Sequence, residues 1–222
     1  KLQKVLVKYK LKNNRGSNLP KEIFCGGWIG YFGYELARYI EKLPATTVED
    51  IGLPLIRLCF YDRFIAYDHL EENFWLLALE LPDDVELPDD KLDALERLLA
   101  ESQRIFVPEL VPADFDNIDI STIRCNMDKE YYLRTIKKIK RYIYDGEVYQ
   151  INFSQRFECD YQARPIELFH WQNQYNPSPY ASFIDGGDFH IVSASPEMFI
   201  TITDGLIQTK PIKGTRPRLD EA

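Results

Sequence analysis

The stretch Ser195-Pro196-Glu197-Met198-Phe199-Ile200-Thr201-Ile202-Thr203-Asp204-Gly205-Leu206-Ile207-Gln208-Thr209-Lys210-Pro211-Ile212-Lys213-Gly214-Thr215 decides how this chain is read. Two alternating runs, residues 199–203 and 206–209, flank Asp204-Gly205. Alternation on both sides of an Asp-Gly pair predicts a β-hairpin. Folding the hairpin brings Glu197 and Lys213 to the same end of the pair. Lys213 then lies among Lys210, Arg216 and Arg218. Clustered cations disfavour a further positive charge and so free an amine to act as a nucleophile. The same cations attract anions, so the expected substrate is a small polyanion. Exposed neighbours in high-dielectric water do little of this. The functional reading therefore requires a partly buried pocket. Without one, a basic, proline-flanked strand end is a solvated loop.

Upstream of the hairpin the chain reads as alternating strands and helices. Asn176-Pro177-Ser178-Pro179-Tyr180 is a loop, followed by strands at 181–185 and 190–193. A helical segment is expected around 165–174, and an alternating strand over Tyr149–Phe157. Asp128 is an expected N-cap for a helix over 129–144, with Tyr132, Ile136, Ile139 and Ile143 as the inward stripe. Residues 106–120, with two prolines and scattered acids, read as a linker. Residues 88–103 predict an amphipathic helix with Leu92, Leu95, Leu98 and Leu99 on one face and acids on the other. Two antiparallel strands are expected at 55–68 and 73–81, joined by His69-Leu70-Glu71-Glu72. The glycine- and aromatic-rich run over 23–33 reads as a strand with close backbone contacts, passing into a short helix near 34–40. It lacks the G-x-G-x-x-G spacing of a dinucleotide site. Residues 2–11 alternate lysine with apolar side chains and read as a strand. The whole predicts an α+β fold of antiparallel sheets with covering helices.

Bulk composition narrows the function. With 222 residues and 45% hydrophobic content, the chain can bury a core in one large domain or two small ones. A net charge of −8, with acids concentrated between Asp83 and Glu101, argues against nucleic-acid binding, which needs a basic face. No apolar run is long enough to span a membrane, and the first residues do not read as a secretory signal. Cys25, Cys59, Cys125 and Cys159 form no C-x-x-C pair and read as buried free thiols in a reducing compartment. His69, His170 and His190 have no metal-ligand spacing, and no residue is assigned as a metal ligand.

Several stretches, in order, resemble the chorismate-utilising enzymes, namely component I of anthranilate synthase and of aminodeoxychorismate (para-aminobenzoate) synthase. They are Gly26-Gly27-Trp28-Ile29-Gly30-Tyr31-Phe32-Gly33-Tyr34-Glu35, Phe60-Tyr61-Asp62, Tyr149-Gln150-Ile151-Asn152, Ser154-Gln155-Arg156-Phe157, Asn176-Pro177-Ser178-Pro179-Tyr180, Ser195-Pro196-Glu197 and Pro211-Ile212-Lys213-Gly214-Thr215. The residue before Gly214-Thr215 discriminates within the family. Anthranilate synthases typically carry alanine there, whereas the aminodeoxychorismate enzymes often carry lysine, as Lys213 does. The resemblance implies that Lys213 attacks C2 of chorismate, that Glu197 assists departure of the C4 hydroxyl, and that Gly214 and Thr215 border the substrate.

It also implies an anthranilate synthase component I-like fold, present incompletely. Residues 1–105 would be an incomplete amino-terminal part, 106–120 the linker, and 121–222 the first part of a chorismate-binding catalytic region truncated at its carboxyl end. Such a fragment is expected to be inactive alone. Mg²⁺ is expected for the complete enzyme, with ligands outside this chain. The expected partners are chorismate and a glutamine amidotransferase subunit or domain, in the cytoplasm. Two alternatives stand beside this reading. One is anthranilate synthase component I or another chorismate-utilising enzyme. The other is a non-catalytic regulatory or interaction module, with Ser178, Pro179 and Tyr180 as a tryptophan effector site. The bland reading of that loop is a rigid proline turn.

Overall fold

A computed structural model describes residues 2–9, 23–44, 46, 48–102, 104, 120–162, 164–203 and 205–214. Residues 1–108 and 109–222 form separate units. Most of the expected 106–120 linker lies outside the described residues.

The first unit begins with helix α1 (Leu2–Lys8), where a strand is expected from the sequence. A strand needs a ladder partner, and no described strand pairs with this segment. A helix satisfies its backbone groups internally. Beyond α1, the Tyr9 ring packs on Trp28 and Phe60, with centroids 6.4 and 5.2 Å away. Strand β1 (Gly27–Phe32) pairs antiparallel with β2 (Ile56–Tyr61). A 3₁₀ turn follows β1 at Tyr34–Tyr39. The run expected as one strand over 55–68 breaks at Asp62. Its second half, β3 (Arg63–Asp68), pairs instead with β4 (Asn73–Ala78).

The glycine motif acts here by close approach. A Cβ on Gly30 would stand 1.9 Å from the Arg57 carbonyl oxygen, so β1 and β2 pair in this register only with glycine there.

Helix α2 (Pro88–Ser102) packs on β3 and β4. Pro88 opens it and Asp89 and Asp90 occupy its first turn, which suits the positive end of the helix dipole. Leu95 and Leu77 are buried at this contact, whereas Leu98, expected on the inward face, lies exposed at the stripe's edge. Lys91 is fully buried instead. It stands one turn before Leu95, on the same side of the helix.

In the second unit, α3 (Lys129–Tyr144) starts as expected, with the Asp128 carboxylate accepting from the Tyr131 N–H at 2.6 Å. The expected strand over 149–157 is reduced to β6 (Phe157–Glu158), paired with β5 (Arg124–Cys125). Asn126 anchors this pair, donating its N–H to the Arg156 carbonyl and accepting from the Arg156 N–H, both at 3.0 Å. The rest of the run has no described ladder partner, which is why it stays irregular.

Helix α4 (Pro165–Tyr175) covers the pair β7 (Tyr180–Asp185) and β8 (His190–Ser195). Phe169 lies 5.9 Å from Phe183, and the Gln172 carboxamide donates to the Ser193 carbonyl at 2.9 Å. Hairpin β9 (Met198–Thr203) and β10 (Leu206–Lys210) follows as expected, with its turn residue Asp204 outside the described set.

All four cysteines are free, but the expectation of burial fails. Cys125 and Cys159 are exposed and Cys25 and Cys59 half-buried; Cys25 and Cys159 lie outside regular strands, and Cys125 sits on the two-residue strand β5. No described helix is long and apolar enough to cross a membrane.

Candidate active site

Two strand pairs meet at Pro196-Glu197. Tyr180, the last residue of the Asn176–Tyr180 loop, lies across from Ser195 at the end of β8. The Ser195 hydroxyl donates to the Glu197 carbonyl oxygen at 3.3 Å, and the chain then enters β9. The register of β9 with β10 sets what faces Glu197. Thr201 pairs with Gln208 and Met198 with Lys210. Between these pairs β9 carries one residue more than β10, which is a β-bulge.

The pairing ends at Met198 with Lys210. Glu197 and residues 211–214 lie just beyond that last pair, outside the two strands.

The structure thus brings Glu197 and the Pro211–Gly214 segment to one end of the hairpin. The expected pocket around them is absent among the described residues. Glu197, Lys210, Lys213 and Gly214 are all exposed. A Cβ on Gly214 would meet nothing within 4 Å. Thr215, Arg216 and Arg218 lie outside the described residues, leaving Lys210 as the described cation nearest Lys213 in the chain. The hairpin is itself uncovered, with Phe199 86%, Leu206 71% and Ile202 66% exposed. Apolar side chains on both faces of a bare hairpin mark surfaces built to be packed.

Ser178 and Pro179 lead into β7, and Tyr180 is its first residue. The Ser178 carbonyl accepts from the Ala181 N–H at 3.1 Å, and the Ser178 hydroxyl donates to the Asn176 carbonyl at 3.5 Å. These are local turn contacts leading into β7.

The first unit holds an ion cluster that the sequence analysis did not single out. Lys91 Nζ donates to Asp84 at 2.5 Å, to Asp62 at 2.9 Å and to the Leu79 carbonyl at 2.8 Å. Burial works to lower the Lys91 pKa, but the hydrogen bonds to Asp84 and Asp62 outweigh it and raise it. Burial likewise pushes Asp62 up, and hydrogen bonds from Lys91 and Arg63 hold it below the ordinary carboxylate range. The Lys91 hydrogen bond, helped by the Leu81 N–H, lowers Asp84. Arg63 grips Glu86 through two bonds of 2.8 and 2.5 Å, which lowers Glu86. Asp62 of the Phe60-Tyr61-Asp62 motif is therefore a structural anchor. The legible signal was Lys91 one turn before Leu95.

Among the described residues, no three or more His, Cys, Asp or Glu side chains converge to hold a metal ion. They do not fit a Mg²⁺ site.

The sequence model described as chorismate binding enzyme matches residues 2–222, and the chain belongs to that family. It is 31% identical over 221 residues to anthranilate synthase component 1 of Acetivibrio thermocellus, covering 96% of this chain and 44% of that protein. It is 33% identical over 196 residues to aminodeoxychorismate synthase component 1 of Bacillus subtilis (strain 168), covering 88% of this chain and 41% of that protein. The fold is that of anthranilate synthase component I from Streptococcus pneumoniae TIGR4, with a TM-score of 0.69 and 25% identity over 88% of this chain and 43% of that one. The chain spans less than half the length of these relatives.

Proposed function

We propose that this chain is part of an aminodeoxychorismate synthase component I, which aminates chorismate at C4 with ammonia from a glutamine amidotransferase. Relatives of both names are similar to it to about the same degree, at 31% and 33% identity. One observation carries the choice: a lysine, Lys213, precedes Gly214, on the same hairpin end as Glu197.

The chemistry runs in two balanced steps. The Lys213 amine forms a bond to C2, the ring double bonds shift, and the C4–O bond breaks. Glu197 gives its proton to the departing hydroxyl, which leaves as water. Ammonia then bonds to C4, the double bonds shift back, and the C2–N bond breaks to return the lysine amine, while the proton shed by the new C4 ammonium returns to the Glu197 carboxylate. Walls that dry and enclose the two side chains belong to segments other than those described, since both are exposed here. A Mg²⁺ ion belongs to the complete enzyme in this reading, with ligands outside this chain, and neither step runs through it. The free thiols suit a reducing compartment, the cytoplasm.

The test is product identity. The full-length protein, given chorismate, an ammonium salt and Mg²⁺, should form 4-amino-4-deoxychorismate, separable from anthranilate by chromatography and mass spectrometry. Anthranilate as the main product would assign it to the other branch of the family.

A further inference from the structure

We infer that Ser195 and Gln172 are positioning residues for the Glu197 carboxylate, an inference that rests on the reading of Glu197 as the acid. Glu197 sits in a two-residue link between β8 and β9, and those strands belong to different pairs. No ladder hydrogen bond of either pair reaches it. Yet a carboxylate that hands over a proton must be held close to its productive geometry.

Three constraints supply that. The Pro196 ring fixes its own φ at the corner. The Ser195 hydroxyl spans the corner to the Glu197 carbonyl at 3.3 Å, tying the backbone from which the carboxylate projects. Ser195 is itself fixed by its pairing with Tyr180. Two residues back on β8, the half-buried Gln172 on α4 donates to the Ser193 carbonyl at 2.9 Å. Support therefore runs from the covering helix through the end of β8 to the corner that carries Glu197. Neither Ser195 nor Gln172 touches the reacting atoms in this scheme.

The experiment uses the full-length protein with chorismate and an ammonium salt. Ser195→Ala should lower kcat about tenfold, the weight of one hydrogen bond, with KM for chorismate unchanged. Ser195→Thr keeps the hydroxyl and should restore most of the loss. Gln172→Leu should lower kcat in the same direction. The deciding readout is coupling. Combined with Glu197→Gln, neither Ser195→Ala nor Gln172→Leu should slow turnover further, because the group they position is gone. Losses that multiply with Glu197→Gln, or wild-type kcat in both single variants, overturn the inference. Should Ser195→Ala fail to fold, Gln172→Leu and Ser195→Thr decide by the same cycle. Full turnover in Glu197→Gln alone sinks the acid reading and the inference with it. Lost turnover in Glu197→Gln beside unchanged positioning variants sinks the inference only.

Discussion

Met198 lies across from Lys210 and Thr201 across from Gln208, which leaves β9 one residue longer than β10 between the two pairs. The ladder closes on Met198 and Lys210, with Glu197 and Lys213 just beyond it at the same end of the hairpin. The predictions for these two residues follow from it.

Lys213 has two separable roles, nucleophile and point charge. In the full-length protein, chorismate without ammonia should add the mass of dehydrated substrate to Lys213. Lys213→Arg keeps the charge but cannot attack, since guanidinium stays protonated, so 4-amination should be lost. Lys213→Ala opens space at C2 and should yield traces of 2-substituted product. Normal 4-amination by the arginine variant, with no adduct in the mass spectrum, would leave Lys213 only a role in anion binding.

Glu197→Gln keeps the shape and removes the transferable proton. Turnover should fall by about 10²–10⁴-fold while KM changes far less. A sharp rise in KM at constant kcat would make the carboxylate a binding group instead.

The buried cation gives a stability prediction. Lys91→Met fills similar volume but leaves Asp62 and Asp84 facing each other without their shared donor. Breaking such a pair should cost about 3 kcal/mol, measured by urea unfolding followed through tryptophan fluorescence. A midpoint equal to wild type would show that the cluster contributes nothing net.

The same cluster sets a pH dependence. Asp62, Asp84 and Glu86 have folded pKa values below their unfolded ones. Their contribution is present above the unfolded carboxylate range, near about 4, and is lost as pH falls through the lowered values. Lys91 is raised, so its contribution holds below its unfolded pKa and is lost as pH climbs through the raised one. Melting temperature should therefore drop on acidification below about pH 4, and Lys91→Met should flatten that limb. An acid limb of equal depth in both proteins would remove the cluster as its source.

Gly30→Ala would drive a methyl into the Arg57 carbonyl at 1.9 Å, and backbone cannot step aside cheaply. The β1–β2 pair should loosen at a cost of about 3 kcal/mol, read as a lowered melting temperature. An unchanged melt would show that the strands can separate locally without loss.

Local rules were enough wherever an element is stabilised by its own residues. Asp128 capping α3, Pro88 opening α2, and the alternating runs around Asp204-Gly205 name their structures without neighbours. The Ser195–Glu197 and Pro211–Thr215 motifs likewise point to the candidate chemistry by residue type alone. Elements that depend on a partner were decided only by the tertiary structure. Residues 2–8 are a helix and 149–156 irregular because no described strand offers them a ladder. The bulge between Gln208 and Lys210 comes from cross-strand register, which no single run of residues encodes. Burial of Lys91 is tolerable because Asp84, seven residues before it in the chain, and Asp62, brought in from the end of β2, lie within 2.9 Å or less of its amine.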